Sequence, residues 1–69
     1  MIKTMKIEGM MCPHCEARVK KTLEEIEGVE SVLVSHEAGT AVVTLTHEVA
    51  DDVLKTAVDG QGYPVLGIE

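Results

Sequence analysis

The order of hydrophobic periodicities constrains the fold of this chain more than any other feature of its sequence. Residues 2–8 alternate apolar and polar side chains, as a half-buried strand does, and residues 13–27 change to the spacing of an amphipathic helix. The same change is repeated in the second half of the chain. The predicted elements are strands over 2–8, 29–36, 40–46 and 64–68, and helices over 13–27 and 49–59.

The predicted order is therefore β-α-β-β-α-β, which is the order of an α+β, ferredoxin-like sandwich. Such a fold has a four-stranded antiparallel sheet with two helices on one face. A chain of 69 residues suits a single domain over residues 1–69. Pro64 predicts that the last strand lies at a sheet edge, because proline donates no ladder hydrogen bond.

The buried faces of these elements follow from the same spacing. In the first strand, Lys3, Met5 and Ile7 share the face that is expected to meet the core. Gly28 is expected to end the first helix. The side chains predicted on the buried helix faces are Cys15, Val19, Leu23 and Ile26, followed by Ala50, Leu54, Ala57 and Val58.

The directions of the elements decide which loops meet. The loop before the first helix, the turn over 35–39 and the loop over 60–63 should share one end of the molecule. His36 is expected to be an exposed turn histidine at that end. His47 belongs to the opposite end, so it is a poor ligand candidate.

The two cysteines, Cys12 and Cys15, lie where the first strand gives way to the first helix. Cys12 suits the N-cap and Pro13 the first helical position, where a missing N–H costs nothing. Two intervening residues let both sulfurs converge on one small object. The positive end of the helix dipole favours thiolates. The pattern predicts a thiolate site, for metal binding or for redox chemistry.

Charge and hydropathy indicate which classes of partner and which cellular compartment to expect. With 12 acidic and 6 basic residues, the chain is not expected to bind nucleic acid. It has no signal-like or membrane-spanning apolar run, which predicts no membrane insertion and a cytoplasmic location, where the cysteines would be reduced. Arg18, Lys20 and Lys21 cluster on the first helix, either as a solvated face or as a docking patch for an acidic partner.

The sequence Gly9-Met10-Met11-Cys12-Pro13-His14-Cys15, with Gly28-Val29 and Gly62-Tyr63 further on, resembles the heavy-metal-associated domain family. That family includes small bacterial copper chaperones and the metal-binding domains of copper-transporting P-type ATPases. The resemblance covers essentially the whole chain. It implies a non-enzymatic protein whose two thiolates bind Cu(I), with a buried methionine at Met10 that anchors the loop and a tyrosine at Tyr63 that packs beside it.

The donor types also favour copper. Cu(I) is soft and needs few ligands, so Cys12 and Cys15 suffice, whereas Zn(II) typically takes four ligands. Met11 stands where zinc-exporting relatives carry an aspartate. Met11 and His14 are candidate accessory ligands, and silver and mercury would suit the same sulfurs.

A rival interpretation comes from the residues between the cysteines. Cys12-Pro13-His14-Cys15 is identical to the active site of the DsbA-type disulfide oxidases, which predicts thiol–disulfide exchange. Those enzymes use the thioredoxin fold, for which this chain is too short.

The sequence therefore favours a Cu(I) chaperone that delivers copper to a copper-transporting P-type ATPase by thiolate exchange, with Cys12 releasing the ion first. A copper-bridged homodimer is the second association that two open thiolates allow.

Overall fold

A computed structural model of the chain describes residues 1–69. The predicted order of elements is confirmed. The elements are β1 (Ile2–Ile7), α1 (Pro13–Glu24), β2 (Val29–Ser35), β3 (Thr40–Leu45), α2 (Asp51–Asp59) and β4 (Val65–Ile68).

The four strands form one antiparallel sheet in the order β2-β3-β1-β4. β4 is an edge strand, as Pro64 predicted. The carbonyl of Pro64 accepts a hydrogen bond from the N–H of Glu8 at 2.8 Å. Residues paired across the sheet share a face, so Met5 and its partner Ala41 both point to the core.

The core lies between one face of the sheet and the two helices. Buried strand residues such as Met5 and Val43 meet Leu23 of α1 and Leu54 of α2. All twelve buried side chains are apolar: Met5, Ile7, Met10, Val19, Leu23, Val32, Ala41, Val43, Leu45, Val49, Leu54 and Val58. The ferredoxin-like α+β sandwich is the fold of this chain.

The end of the first helix differs from the prediction. α1 ends at Glu24, earlier than residue 27. The chain after it forms tighter turns, in which the donor and acceptor of each hydrogen bond are three residues apart instead of four. The N–H of Ile26 bonds to the carbonyl of Leu23 at 3.1 Å, and that of Val29 bonds to Ile26 at 3.1 Å. Gly28, with φ of +96°, completes the change of direction.

The start of the second helix also differs. Ala50 was expected on the buried face, but it is exposed, and the buried side chain is that of Val49. Ala50 is the N-cap residue and has an extended backbone with φ of −61° and ψ of 142°, so helical spacing does not apply to it. α2 begins at Asp51.

Lys3 was predicted on the core face and is only half-buried. Its aliphatic stem lies along the core face while its ammonium group reaches the start of α2. Nζ donates to the carbonyl of Val49 at 2.7 Å and to Oδ1 of Asp51 at 2.5 Å. Lys3 thereby joins β1 to a helix whose N-cap side chain makes no hydrogen bond.

The predicted grouping of loops is confirmed. The N–H of Ile7 bonds to the carbonyl of Gly39 at 2.8 Å, and a Cβ on Gly9 would lie 3.8 Å from Cδ1 of Tyr63. We call this end, which carries residues 8–16, 35–39 and 60–63, the cysteine end. His47 lies beside Gly28 at the opposite end, as predicted.

Neither helix has the length and apolar character that a membrane span requires.

Candidate metal centre

The loop from β1 to α1 turns one methionine inward and the next outward. Gly9 has φ of +87°, a conformation that side chains with a Cβ rarely adopt, and it lets the chain leave the sheet. Met10 is 4% exposed and belongs to the core cluster, whereas Met11 is 85% exposed. The buried thioether fixes the loop to the core, and the cysteines that follow stay at the surface.

The start of α1 brings the two sulfurs together. Cys12 is the N-cap residue, with φ of −156° and ψ of 166°, and Pro13 follows at the first helical position. The carbonyl of Cys12 accepts hydrogen bonds from the N–H groups of Cys15 at 3.0 Å and Glu16 at 3.3 Å. Both cysteines are free thiols and half-buried, and their Sγ atoms lie 3.6 Å apart. One soft ion can therefore contact both sulfurs.

The surroundings of Cys15 favour its thiolate. Hydrogen bonding from the Tyr63 hydroxyl, then from the backbone N–H of Met11 and from Cys12, lowers the pKa of the Cys15 thiol to about 7, against an opposing effect of burial. The same contact with Cys15 raises the pKa of Tyr63 above its usual value. Tyr63 thus packs beside the loop and also stabilises negative charge on one sulfur.

The other two predicted donors, Met11 and His14, have exposed side chains. His14 lies between the cysteines on the exposed side of the first helical turn. Met11 projects from the loop with its thioether in solvent. No group of three or more His, Cys, Asp or Glu side chains is arranged to hold a metal ion. The chain offers two sulfurs, with Met11 and His14 nearby in the sequence.

The exposed-histidine prediction for His36 is wrong. Its ring is half-buried, and Nδ1 lies 2.5 Å from Oε2 of Glu16, while its backbone N–H donates to the same oxygen at 2.6 Å. The backbone bond, followed by the ring bond, lowers the pKa of the Glu16 carboxyl. Sequence reasoning missed Glu16, although it had already placed the turn over 35–39 beside the first turn of α1.

The basic residues of α1 lie on its solvent side. Arg18, Lys20 and Lys21 are all exposed, and none of them forms an ion pair within the chain. The exposed face is therefore accessible for either of its two predicted roles.

Known proteins resemble this chain over nearly its full length. The sequence matches the heavy-metal-associated domain family over residues 4–64. It is 39% identical to the copper chaperone CopZ of Staphylococcus saprophyticus over 64 residues, which cover 91% of this chain and 94% of that protein. The solved structure of a CopZ metallochaperone superposes with a TM-score of 0.90 at 36% identity, covering 96% of this chain and all of the other.

A second group of relatives is much longer. The chain is 44% identical to the mercuric reductase of Serratia marcescens over 62 residues, which cover 90% of this chain but only 14% of that enzyme. The similarity to that enzyme is therefore confined to one domain-sized segment.

Three observations point to the same family. They are the paired cysteines at the start of α1, the ferredoxin-like sandwich that presents them and the match over residues 4–64. The chain belongs to the heavy-metal-associated domain family.

Proposed function

We propose that this chain is a Cu(I) chaperone, with Cys12 and Cys15 as the metal ligands. The observation that carries the proposal is the pair of free, half-buried sulfurs 3.6 Å apart at an open end of the molecule. Two thiolates satisfy Cu(I), and the open side of the ion leaves room for an incoming ligand. Copper is the cargo of this protein, and no covalent catalysis is involved.

The share of each relative's length that this chain matches supports copper as the bound metal. The CopZ protein is matched over 94% of its length, so it is a protein of the same size and plan. The mercuric reductase match favours Hg(II) as a second candidate, because it has the higher identity, 44%, over a similar stretch. Hg(II) and Ag(I) are also soft ions that two thiolates bind. Zn(II) is disfavoured because it typically takes four ligands.

The partner that fits this chemistry carries an equivalent pair of thiols, and we assign that role to the metal-binding domain of a copper-transporting P-type ATPase. Transfer then proceeds by exchange, in which a partner thiolate forms a bond to copper before a donor thiolate leaves. Cys12 is the better candidate to leave first, because it precedes α1 as the N-cap residue, whereas Cys15 packs against the core cluster. A copper-bridged homodimer would use the same open position.

A reducing compartment suits this chemistry, since the thiols must stay free to bind the ion. We therefore place the protein in the cytoplasm.

An anaerobic competition titration tests the proposal. Reduced protein is mixed with Cu(I), Hg(II) or Zn(II) in the presence of a small-molecule thiol, and the metal retained per chain is measured. We expect about one Cu(I) per chain to be retained and Zn(II) to be lost. The double variant Cys12→Ser/Cys15→Ser should retain none of the three metals.

Other outcomes would redirect the assignment. Retention of Hg(II) with loss of Cu(I) would favour mercury as the cargo. Loss of every metal, together with rapid reaction of the dithiol with glutathione disulfide, would favour the redox function suggested by Cys12-Pro13-His14-Cys15.

A further inference from the structure

We infer that Glu16 and His36 are positioning residues for the thiolate pair. They tie the first turn of α1, which carries Cys15, to the β2–β3 turn, and so keep the two sulfurs in the arrangement that receives the ion. This inference rests on the proposed copper function.

The contact between them is specific in geometry. One carboxylate oxygen, Oε2 of Glu16, accepts from the backbone N–H of His36 at 2.6 Å and faces its ring Nδ1 at 2.5 Å. Because a carboxylate only accepts, Nδ1 must carry a proton. The two side chains are only 28% and 27% exposed, so water competes weakly for these bonds. Hydrogen bonds to a charged group are short and strong, and two of them on one oxygen leave the side chain little freedom.

The contact is one peptide away from a candidate ligand. Glu16 follows Cys15 directly, and the N–H groups of both residues bond to the carbonyl of Cys12 at 3.3 Å and 3.0 Å. A shift of Glu16 therefore moves the helical turn that sets the distance between the two sulfurs.

His36 lies in a turn that hydrogen bonds hold to the sheet. The β2–β3 turn is closed by the pairing of Ser35 with Thr40, and Gly39 in the same turn accepts a hydrogen bond from Ile7 of the central strand β1 at 2.8 Å. His36 thus transmits the position of the sheet to the first turn of α1.

The opposite end of the molecule supplies a matched control. Lys3 and Asp51 also join two elements distant in sequence, with an Nζ to Oδ1 distance of 2.5 Å, but they lie far from the thiols along the fold. If the contact between Glu16 and His36 served stability alone, its removal would resemble the removal of the Lys3 contact.

The experiment compares four variants with the parent. Glu16→Ala removes the acceptor of both hydrogen bonds, His36→Ala removes only the ring bond, and Glu16→Gln keeps an amide oxygen that accepts both. Lys3→Met is the control at the far end. Retention of Cu(I) against a competing chelator is measured for each, with the exchange rate of the Cys15 amide hydrogen in the reduced, metal-free protein.

Glu16→Ala should lower Cu(I) affinity about tenfold, the lower end of what the loss of partners around metal ligands produces. His36→Ala should have a smaller effect, and Glu16→Gln should stay nearest to the parent. The Cys15 amide hydrogen should exchange faster in Glu16→Ala than in the parent. Its exchange rate should be unchanged in Lys3→Met. Unchanged Cu(I) retention in Glu16→Ala, or an equal loss in Lys3→Met, would overturn the inference.

The metal-free measurement separates this inference from the copper proposal. If the parent itself loses Cu(I) to the competitor, the copper function fails. The exchange rates then still decide the positioning role, because faster exchange confined to Glu16→Ala supports it and unchanged exchange overturns it.

Discussion

The two ends of the sandwich differ in how tightly they are packed around a glycine of nearly the same conformation. Gly28, with φ of +96°, lies where an added Cβ would come within 2.7 Å of the His47 ring and 2.8 Å of Val49. Gly9, with φ of +87°, would place a Cβ 3.8 Å from the Tyr63 ring, at an ordinary contact distance. The far end therefore has no room for a side chain at Gly28, whereas the cysteine loop has ordinary contact space beside Gly9.

The two ends also differ in their long-range polar contacts. At the far end, the cation of Lys3 holds the start of α2 through the carbonyl of Val49 and the carboxylate of Asp51. At the cysteine end, the anion of Glu16 holds the β2–β3 turn through His36. The first contact joins β1 to a helix with no side-chain cap. The second joins the β2–β3 turn to the first helical turn of α1, which also contains Cys15.

The substitution Gly28→Ala should produce the largest loss of stability. The positive φ costs a residue with a Cβ about 1–2 kcal/mol, and overpacking against the buried Val49 adds about 1–3 kcal/mol. Urea unfolding should show the sum, while the folded fraction keeps the parent's Cu(I) stoichiometry. A loss no larger than the backbone cost of about 1–2 kcal/mol would show that the far end is not tightly packed.

Gly9→Ala should destabilise the protein less, because only the backbone cost of about 1–2 kcal/mol applies. Its effect should fall on the cysteine loop, which we expect to show as weaker Cu(I) retention at equal folded fraction. Unfolding and metal competition measured beside Gly28→Ala give the comparison directly. Equal destabilisation by the two substitutions would remove the distinction between a closed and an open end.

Tyr63→Phe should raise the pKa of Cys15 above about 7, since the phenol hydroxyl is the largest cause of its lowering. The titration is followed by thiolate absorbance in metal-free protein on a Cys12→Ser background, where a single thiol titrates. The folded-state pKa of this thiol is depressed, so the stability it contributes is present at alkaline pH and is lost as pH falls through about 7. In Tyr63→Phe that contribution should be smaller, and its loss should be complete at a higher pH than in the parent. If the titration curve of Tyr63→Phe coincided with that of the Cys12→Ser protein that keeps Tyr63, the hydroxyl would have no role in lowering the pKa of Cys15.

Lys3→Met should have the smallest effect, because its ion pair with Asp51 is at the surface and screened by salt. Asp51 raises the pKa of Lys3 above its usual 10.5, so the contribution is complete below that value and is lost as pH rises through the raised pKa. Unfolding measured at neutral and strongly alkaline pH should show the parent and the variant converging at the alkaline end. A difference that persists there would indicate a role for the lysine stem.

Much of the fold could be predicted because hydrophobic spacing alone fixes element type and order. The change from period 2 to period 3.6 located α1 and α2, and the direction of each element placed His47 away from the cysteines. The ends of the helices were harder, since they depend on local hydrogen bonds. Ile26 bonds to Leu23 in a tighter turn, and Ala50 takes an extended cap conformation that no helical spacing describes.

The candidate site was predictable only in part, for a related reason. Cys12 and Cys15 are neighbours in sequence, so a local motif reveals them. Glu16 and His36 are 20 positions apart, and the hydrogen bonds between them depend on where a turn meets a helix in three dimensions. The interaction of Tyr63 with one particular sulfur, Cys15, likewise follows from packing.

The position of Tyr63 has an optical consequence. The chain contains one tyrosine, no tryptophan and no phenylalanine, and that tyrosine lies beside Cys15. Its aromatic absorption and emission in the near ultraviolet therefore arise from a single side chain at the cysteine end, with no other aromatic residue contributing. Ionisation of the neighbouring thiol, or arrival of a heavy ion on it, would be recorded by this residue without any attached label.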